Sequence, residues 1–500
     1  MLSAGTASGE SAPDAGEPEL RRESGGAGTP RAPWQDTASA RVPLLLDAEC
    51  EEHDAAQSGS EQHAGWSGGE TLLSLLVSLT LPLYIPMLLL FFAWGLVTPI
   101  LPLFAASLGA GTAAVGVVSA SRAVGSLLAT LPSGLVVQRG GVRSATLVGT
   151  VTYFLACGWG GAASGVVSLA ASRCLAGAGY SLYSLAQQTF VRQVVPAHFR
   201  GRVLASVGGA YRIGGLLAPL CGGILAQCIG FRAVFALQAA VSGLAVPFIA
   251  LRMRQQQQVS PAPSEASGDA PLPQQDAHLP LVAFLRANWR PVGAAWAATV
   301  LMSVVRSVRD LLIPLAAAAA GFSRANTGYV TAASYAGDTL LFPLGGWIMD
   351  TCGCWAAGAL SCSVMALGML LLVMPASTGP HAGAVLYTAA LVTGVGNGLS
   401  SGIVMALASS MAPGDGRAGP IIASYNFVAA LGGVLGPVLV GGLAQAHGLR
   451  AGAAFATVTA ALGGGWWGLA LPRPSPRKGL PSDADEELAL LPRDAERQTS

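Results

Sequence analysis

Between residues 73 and 471 the chain repeats one pattern: a long apolar stretch, a few polar, glycine or arginine residues, then another apolar stretch. A helix crosses the hydrocarbon core of a bilayer with ~20 apolar residues. Twelve stretches are long enough, at 80–106, 113–137, 144–163, 165–190, 204–228, 233–252, 290–318, 325–349, 355–375, 383–409, 419–446 and 450–471. One interruption is much longer than the rest. The segment 253–285 contains RQQQQVSPAPSEASGDAPLPQQDAHLP, a Pro-, Gln- and Ser-rich composition that reads as a loop. It separates two six-helix halves, 73–252 and 286–471, and polar tails, 1–72 and 472–500, flank the whole.

The two halves match each other. A shift of 212 residues lays Pro102 on Pro314, Gly109 on Gly321, Gly116 on Gly328, Gly125 on Gly337, Gly134 on Gly346 and Gly141 on Gly353. A shift of 218 lays AQCIGFRA (226–233) on AQAHGLRA (444–451) and Pro219 on Pro437. Glycine and proline govern backbone path and close helix packing, so an ordered set of matches between them indicates a tandem duplication. Parallel six-helix repeats are a transporter architecture, with the substrate site between the halves near the midplane. Arginine bias orients the chain. With the N-terminus in the cytosol, the inner loops hold Arg139, Arg143, Arg192, Arg200, Arg202, Arg252, Arg254, Arg286, Arg290 and Arg417, against Arg232, Arg324 and Arg450 outside. Both tails and the 253–285 loop are then expected to be cytosolic.

Composition agrees with the pattern. Only 11% of the residues are charged and 52% are hydrophobic, far from a soluble domain. Of the 26 acidic residues, 13 lie in 1–70, 6 beyond 472 and 3 in 253–285, leaving Asp310, Asp338, Asp350 and Asp415 for the body. The N-terminal tail lacks the apolar core of a secretory signal and is too acidic for a transit peptide, so it reads as disordered and solvated. The eight cysteines have neither metal nor disulfide spacing, and free thiols are expected. No phosphate-binding loop of the Gly-x-x-x-x-Gly-Lys-Ser/Thr type occurs, which argues against ATP-driven transport. No cofactor, metal, nucleic-acid partner or enzymatic activity is expected.

Against this background the stretch SVVRSVRDLLIPL (303–315) stands out, because a charge at bilayer depth is costly and should face water or a partner. Arg306 and Asp310 are four apart and could pair on one helix face, while Arg309 points to a neighbouring face. The equivalent residues of the first half are Trp94, Val97 and Thr98, so the repeat does not demand these charges. Two readings stay open: an ion pair that merely pins the seventh helix, or an Asp310 that takes up a proton while Arg306 or Arg309 holds an anionic group. Other ionisable groups at depth are Arg122, Arg173, Arg212 and Asp338, with Asn397 a candidate beside them. The excess of arginine over acid favours an anionic or neutral solute over an organic cation.

Several short motifs have a family likeness. GLVVQRGGVR (134–143) and GWIMDTCGCW (346–355) are similar to the two copies of the cytosolic loop motif Gly-x-x-x-Asp-Arg-x-Gly-Arg-Arg. The first keeps Gly134, Arg139, Gly141 and Arg143 with Gln138 in the acid position; the second keeps Gly346, Asp350 and Gly353 with Thr351 in the basic position. Arg173 and Gly177 fit an Arg-x-x-x-Gly motif. GGLLAPLCGG (214–223), with Gly214, Pro219, Gly222 and Gly223, is similar to Gly-x-x-x-Gly-Pro-x-x-Gly-Gly, Ala218 replacing one glycine. GGVLGPVLVGG (432–442) repeats it loosely with Gly432, Gly436 and Pro437. With the duplication, these motifs make residues 75–471 resemble the major facilitator superfamily, and the glycine–proline signature resembles its antiporter branches, drug/proton antiporters among them.

That resemblance implies an all-α membrane protein of twelve transmembrane helices in two six-helix halves, the seventh helix lining a central cavity with helices 1, 4 and 10. It also implies a secondary transporter moving a small solute by alternating access, with proton-coupled antiport as the leading expectation. An uncoupled facilitator and a transporter-fold sensor or assembly protein are the alternatives. The expected partners are a small-molecule substrate, the lipid bilayer and protons. In the C-terminal tail Glu486, Leu490 and Leu491 fit the acidic dileucine pattern that clathrin adaptors read. Its use would place the protein in an endosomal, lysosomal or vacuolar membrane, and its absence of use in the plasma membrane.

Overall fold

A computed structural model describes residues 79–195, 197–259, 288–374, 381–411 and 418–471, together with Arg286. The tails, most of the 253–285 loop and the Glu486, Leu490 and Leu491 motif lie outside the described residues.

The described chain is helical and makes twelve passages. The first, α1, consists of a π turn Thr80–Tyr84 and the helices Ile85–Val97 and Leu101–Ser107, bent by 44° at Thr98–Ile100. Pro99 lies inside the bend and Pro102 opens the second segment, which accounts for the break. One continuous helical stretch, Thr112–Ala162, has non-helical dihedrals at Gly141 (φ 75°, ψ 161°) and so holds two passages, α2 (112–140) and α3 (142–162). The first half closes with α4 Val166–Val194, α5 Ala197–Cys228 and α6 Phe231–Val259. The second half holds α7 Trp289–Ala319, α8 Arg324–Cys352 and α9 Cys354–Val373. It ends with α10, in two pieces Ala382–Leu399 and Ile403–Ser410, then α11 Ala418–His447 and α12 Leu449–Ala470. Among the described residues five stretches are long and apolar enough to cross a membrane alone, or six when the bent pieces of α1 count as one. Passages such as α4, α5, α7 and α8 carry the arginines and aspartates expected at depth.

The duplication is visible in the backbone. Among the described residues seven glycines have φ in the left-handed region, and six form repeat pairs: Gly109 with Gly321, Gly141 with Gly353, and Gly230 with Gly448. Each pair turns the chain between successive helices, where a side chain would be strained. The seventh, Gly402 (φ 74°), lies at the break inside α10 and has Leu185 of the continuous α4 as its counterpart at a shift of 217.

The halves meet along two seams, α5 with α8 and α2 with α11. Both use the glycine–proline motifs. Within each half, Gly222 abuts the Leu96 carbonyl of α1 and Gly436 abuts the Val304 carbonyl of α7. Across the halves, a Cβ on Gly223 would stand 2.8 Å from Gly328 Cα, and one on Gly441 would stand 2.9 Å from Gly116 Cα. Only glycine allows backbones this close. The carbonyls of Pro219 and Pro437 face Gly328 and Gly116 at the same contacts. Each seam then ends in a glutamine. Gln445 Oε1 accepts from the Ala113 N–H (3.3 Å) and from Thr112 Oγ1 (3.1 Å), and Gln227 Oε1 accepts from the Arg324 N–H (3.2 Å). These glutamines lie at the end of the bundle that arginine bias assigns to the outside, where they satisfy otherwise orphaned donors of the opposite half's helix start.

Candidate functional site

Between the halves lies a cavity in two connected parts that share Trp94, Arg122, Ser307, Asp310 and Gly433. The smaller, of about 100 Å³, reaches toward the end that carries Gln227 and Gln445, past Thr98, Pro102, Ser119 and Arg173. The larger, of about 330 Å³, runs the other way past Arg212, Arg306, Arg309, Asn397 and Gly402. Helices α1, α2, α4, α5, α7, α10 and α11 contribute to its walls. Of the expected site residues, Arg122, Arg173, Arg306, Arg309, Asp310 and Asn397 therefore line one space. Asp338 stands behind it.

The pairing of charges departs from the sequence expectation at one point. Arg306 does not pair with Asp310. Its Nη2 donates instead to the Ser400 carbonyl and to Ser400 Oγ (2.7 Å), at the break of α10. Asp310 is held by its chain neighbour Arg309, whose Nε and Nη2 approach Oδ1 at 3.3 and 3.2 Å. The Arg309 guanidinium also lies over the Tyr335 ring, 5.0 Å from its centroid. Helical spacing permits the i, i+4 pair, but the unwound carbonyl on α10 needs a donor, and Arg306 supplies it.

The two aspartates have different surroundings. Arg212 places Nη2 at 2.9 Å and Nε at 3.2 Å from Asp338 Oδ1, and Asn397 Nδ2 donates to Oδ2 at 2.7 Å. The Arg212 guanidinium is stacked on Phe342, 4.4 Å from the ring centroid. Both partners are 4% exposed, and the pair joins α5 of one half to α8 and α10 of the other. Asp310 by contrast is 29% exposed and borders both parts of the cavity. Sequence reading named Asp338 without its partner; Arg212 was visible as a buried arginine, but nothing in the spacing joins α5 to α8.

Arg122 lies between two aromatic faces, 5.7 Å from the Trp94 ring and 5.8 Å from Tyr180. Trp94 in turn meets Tyr335 edge-on at 6.0 Å. Arg173 is 3% exposed. Residues the sequence reading passed over are Tyr180, Tyr335, Ser400 and Gly402. The triplet Ser400–Ser401–Gly402 inside an apolar run is a turn signal that could have located the break.

The loop motifs keep their turns, at Gly141 and Gly353. A side chain at Gly134 or Gly346 would meet nothing. Arg143 reaches across to donate to the Ala250 carbonyl on α6 (2.9 Å), a latch to a helix end without an acid, while Arg139 and Asp350 are exposed.

A sequence profile of the Major Facilitator Superfamily matches residues 83–437 and 296–497. The chain belongs to the Major Facilitator Superfamily. An uncharacterized MFS-type transporter of Mycobacterium tuberculosis is 28% identical over 134 residues, 27% of this chain and 23% of that protein. The chain thus matches about a quarter of that relative's length. Among solved structures, a D-xylose–proton symporter superposes with a TM-score of 0.64 at 17% identity, covering 79% of this chain and 98% of the symporter. A POT family transporter in complex with a thioalcohol-conjugated peptide gives 0.65 at 13% identity, over 78% and 94%. A nucleoside transporter gives 0.60 at 13% identity, over 78% and 98%. At these identities the likeness is one of fold: an all-α, multi-pass membrane protein of twelve helices in two halves.

Proposed function

We propose that this superfamily member is a secondary transporter that moves a small solute by alternating access, and that proton exchange through Asp310 drives it. The observation that carries this reading is a charged cavity between the halves whose accessible carboxylate is Asp310. A proton carrier must be reached by water in at least one state, and Asp310 meets that need where Asp338 does not. Arg309 beside it offers the cation with which the carboxylate pairs when its proton leaves. The glycine–proline motifs support the antiport direction by resemblance, and the arginine distribution supports cytosolic tails.

The test is uptake into proteoliposomes with and without a pH gradient, on a panel of solutes. Asp310→Asn should abolish gradient-driven accumulation while counterflow exchange persists. Parent and variant with the same pH dependence would remove the coupling and leave a facilitator. Absence of any flux with a correctly folded protein would favour a sensor or assembly role.

A further inference from the structure

Among the described residues, two guanidiniums in the smaller part of the cavity have no carboxylate within hydrogen-bond reach. Arg212 and Arg309 are matched by Asp338 and Asp310, and Arg306 is tied to Ser400. Arg122 is flanked by the Trp94 and Tyr180 rings, and Arg173 leaves both Nε and Nη1 without a hydrogen-bond partner among the described residues. These two arginines come from α2 and α4, and both border the 100 Å³ space. The acid there, Asp310, is already engaged by Arg309. An unmatched cation at this depth is costly, and the repeat does not impose it. The equivalent positions of the second half are Ser334, at a shift of 212, and Ala390, at a shift of 217.

We propose that Arg122 and Arg173 together hold the oxyanion head, carboxylate or phosphate, of a small organic anion, and that such anions are the solutes carried. Guanidinium is suited to this because its planar donors match carboxylate and phosphate oxygens. The space beside the two arginines, about 100 Å³, is the smaller part of the cavity and suits the head group. The remainder extends into the larger space along Trp94. There Asn397 Oδ1, buried and without a donor, can accept from a hydroxyl or N–H on the solute body. Five arginines around one space repel an organic cation. The inference rests on the transport reading of the same cavity.

The experiment uses the purified full chain in phospholipid-free detergent micelles, which excludes a lipid headgroup as the source of the anion. Thermal unfolding is followed with acetate, benzoate and inorganic phosphate, with acetamide and benzamide as neutral matches and benzylamine as the cation. A ligand that binds only the folded state raises the midpoint. The anions should protect and their neutral and cationic matches should not. Arg122→Gln and Arg173→Gln should each weaken anion protection about ten-fold in concentration, and Arg122→Lys should retain part of it. Arg290→Gln, at an exposed arginine, should leave it unchanged. The midpoint without ligand reports whether a variant still folds, and Arg122→Gln carries the test if Arg173→Gln does not. Equal protection by benzamide and benzoate, no protection by any anion, or full protection in a folded Arg122→Gln protein overturns the site. Anion protection without flux in proteoliposomes would instead sink the transport reading and leave the site standing. Flux of a neutral solute without anion protection would do the reverse.

Discussion

Along the seam of α5 and α8, from the glutamine end inward, Gln227 meets the Arg324 N–H, Gly223 meets Gly328, Gly215 faces Tyr335, and Arg212 binds Asp338. The seam of α11 and α2 takes the same steps in the same register. Gln445 meets the hydroxyl of Thr112, the counterpart of Arg324, and the N–H of the next residue, Ala113; Gly441 meets Gly116, and Gly433 faces Ala123. At the last step Ala430 and Ser126 occupy the positions of the ion pair. The glycine contacts and glutamine caps are thus common to both seams, because they set how near two backbones come. The brace is confined to one. A duplicated scaffold has kept its path and divided its chemistry: the first half supplies Arg122, Arg173 and Arg212, and the second supplies Arg306, Arg309 and both aspartates.

The sharpest way to break the symmetry is at the brace. Asp338→Asn leaves Arg212 buried without a counter-charge and should cost about 3–5 kcal/mol, read from unfolding of the purified protein. Adding Arg212→Gln should recover much of that loss. Ser126→Ala at the matching position of the other seam removes only the hydroxyl's bond to the Gly177 carbonyl (3.1 Å) and should cost about 0.5–1.5 kcal/mol. Similar costs for Asp338→Asn and Ser126→Ala would show that the seams are not differently braced.

The glycine contacts should respond alike. Gly223→Leu and Gly116→Leu force the halves apart, at about 1–3 kcal/mol each. A cysteine introduced at Ser119, in a background without native cysteines, should then react faster with an impermeant thiol reagent added outside. If the two substitutions open the site to very different extents, the common register has no common mechanical role.

The smallest expected effect concerns the caps. Gln445→Ala removes the acceptor facing the start of α2 and should cost about 0.5–1 kcal/mol. Gln227→Ala should cost less, because Arg324 keeps its bond to the Ala226 carbonyl (3.0 Å) and its stacking on Phe231 (4.2 Å). Reversal of that order in thermal unfolding would show that Arg324 does not secure its helix start without Gln227.

Most of the path was legible in the sequence because span length and glycine position are local properties. The expected 325–349 became Arg324–Cys352, and the expected 290–318 became Trp289–Ala319. The break at Gly402 was missed because the surrounding run is apolar throughout, and apolarity measures depth without reporting the hydrogen-bond ladder. The cavity residues were found as charges in the wrong solvent, which is a strong signal for existence and a weak one for partner. Whether Arg306 or Arg309 takes Asp310 depends on what α10 presents to α7, and no periodicity on α7 contains that. Likewise Arg212 and Asp338 are 126 residues apart and meet only when the halves do.

Gly402 also divides α10 mechanically. A helix resists bending through its continuous ladder of four-residue bonds, and here the ladder gives way to shorter ones: Ser400 N–H to Asn397, Ser401 N–H to Gly398 and Ile403 N–H to Ser400. Asn397, which steadies Asp338, lies on one side of that joint, and Ile403–Ser410 lies on the other. Arg306 reaches the joint itself from α7, like a pin through a hinge. A tilt of the short lever Ile403–Ser410 is therefore not transmitted rigidly to Asn397, and the fulcrum between the halves can hold while the far end of α10 moves.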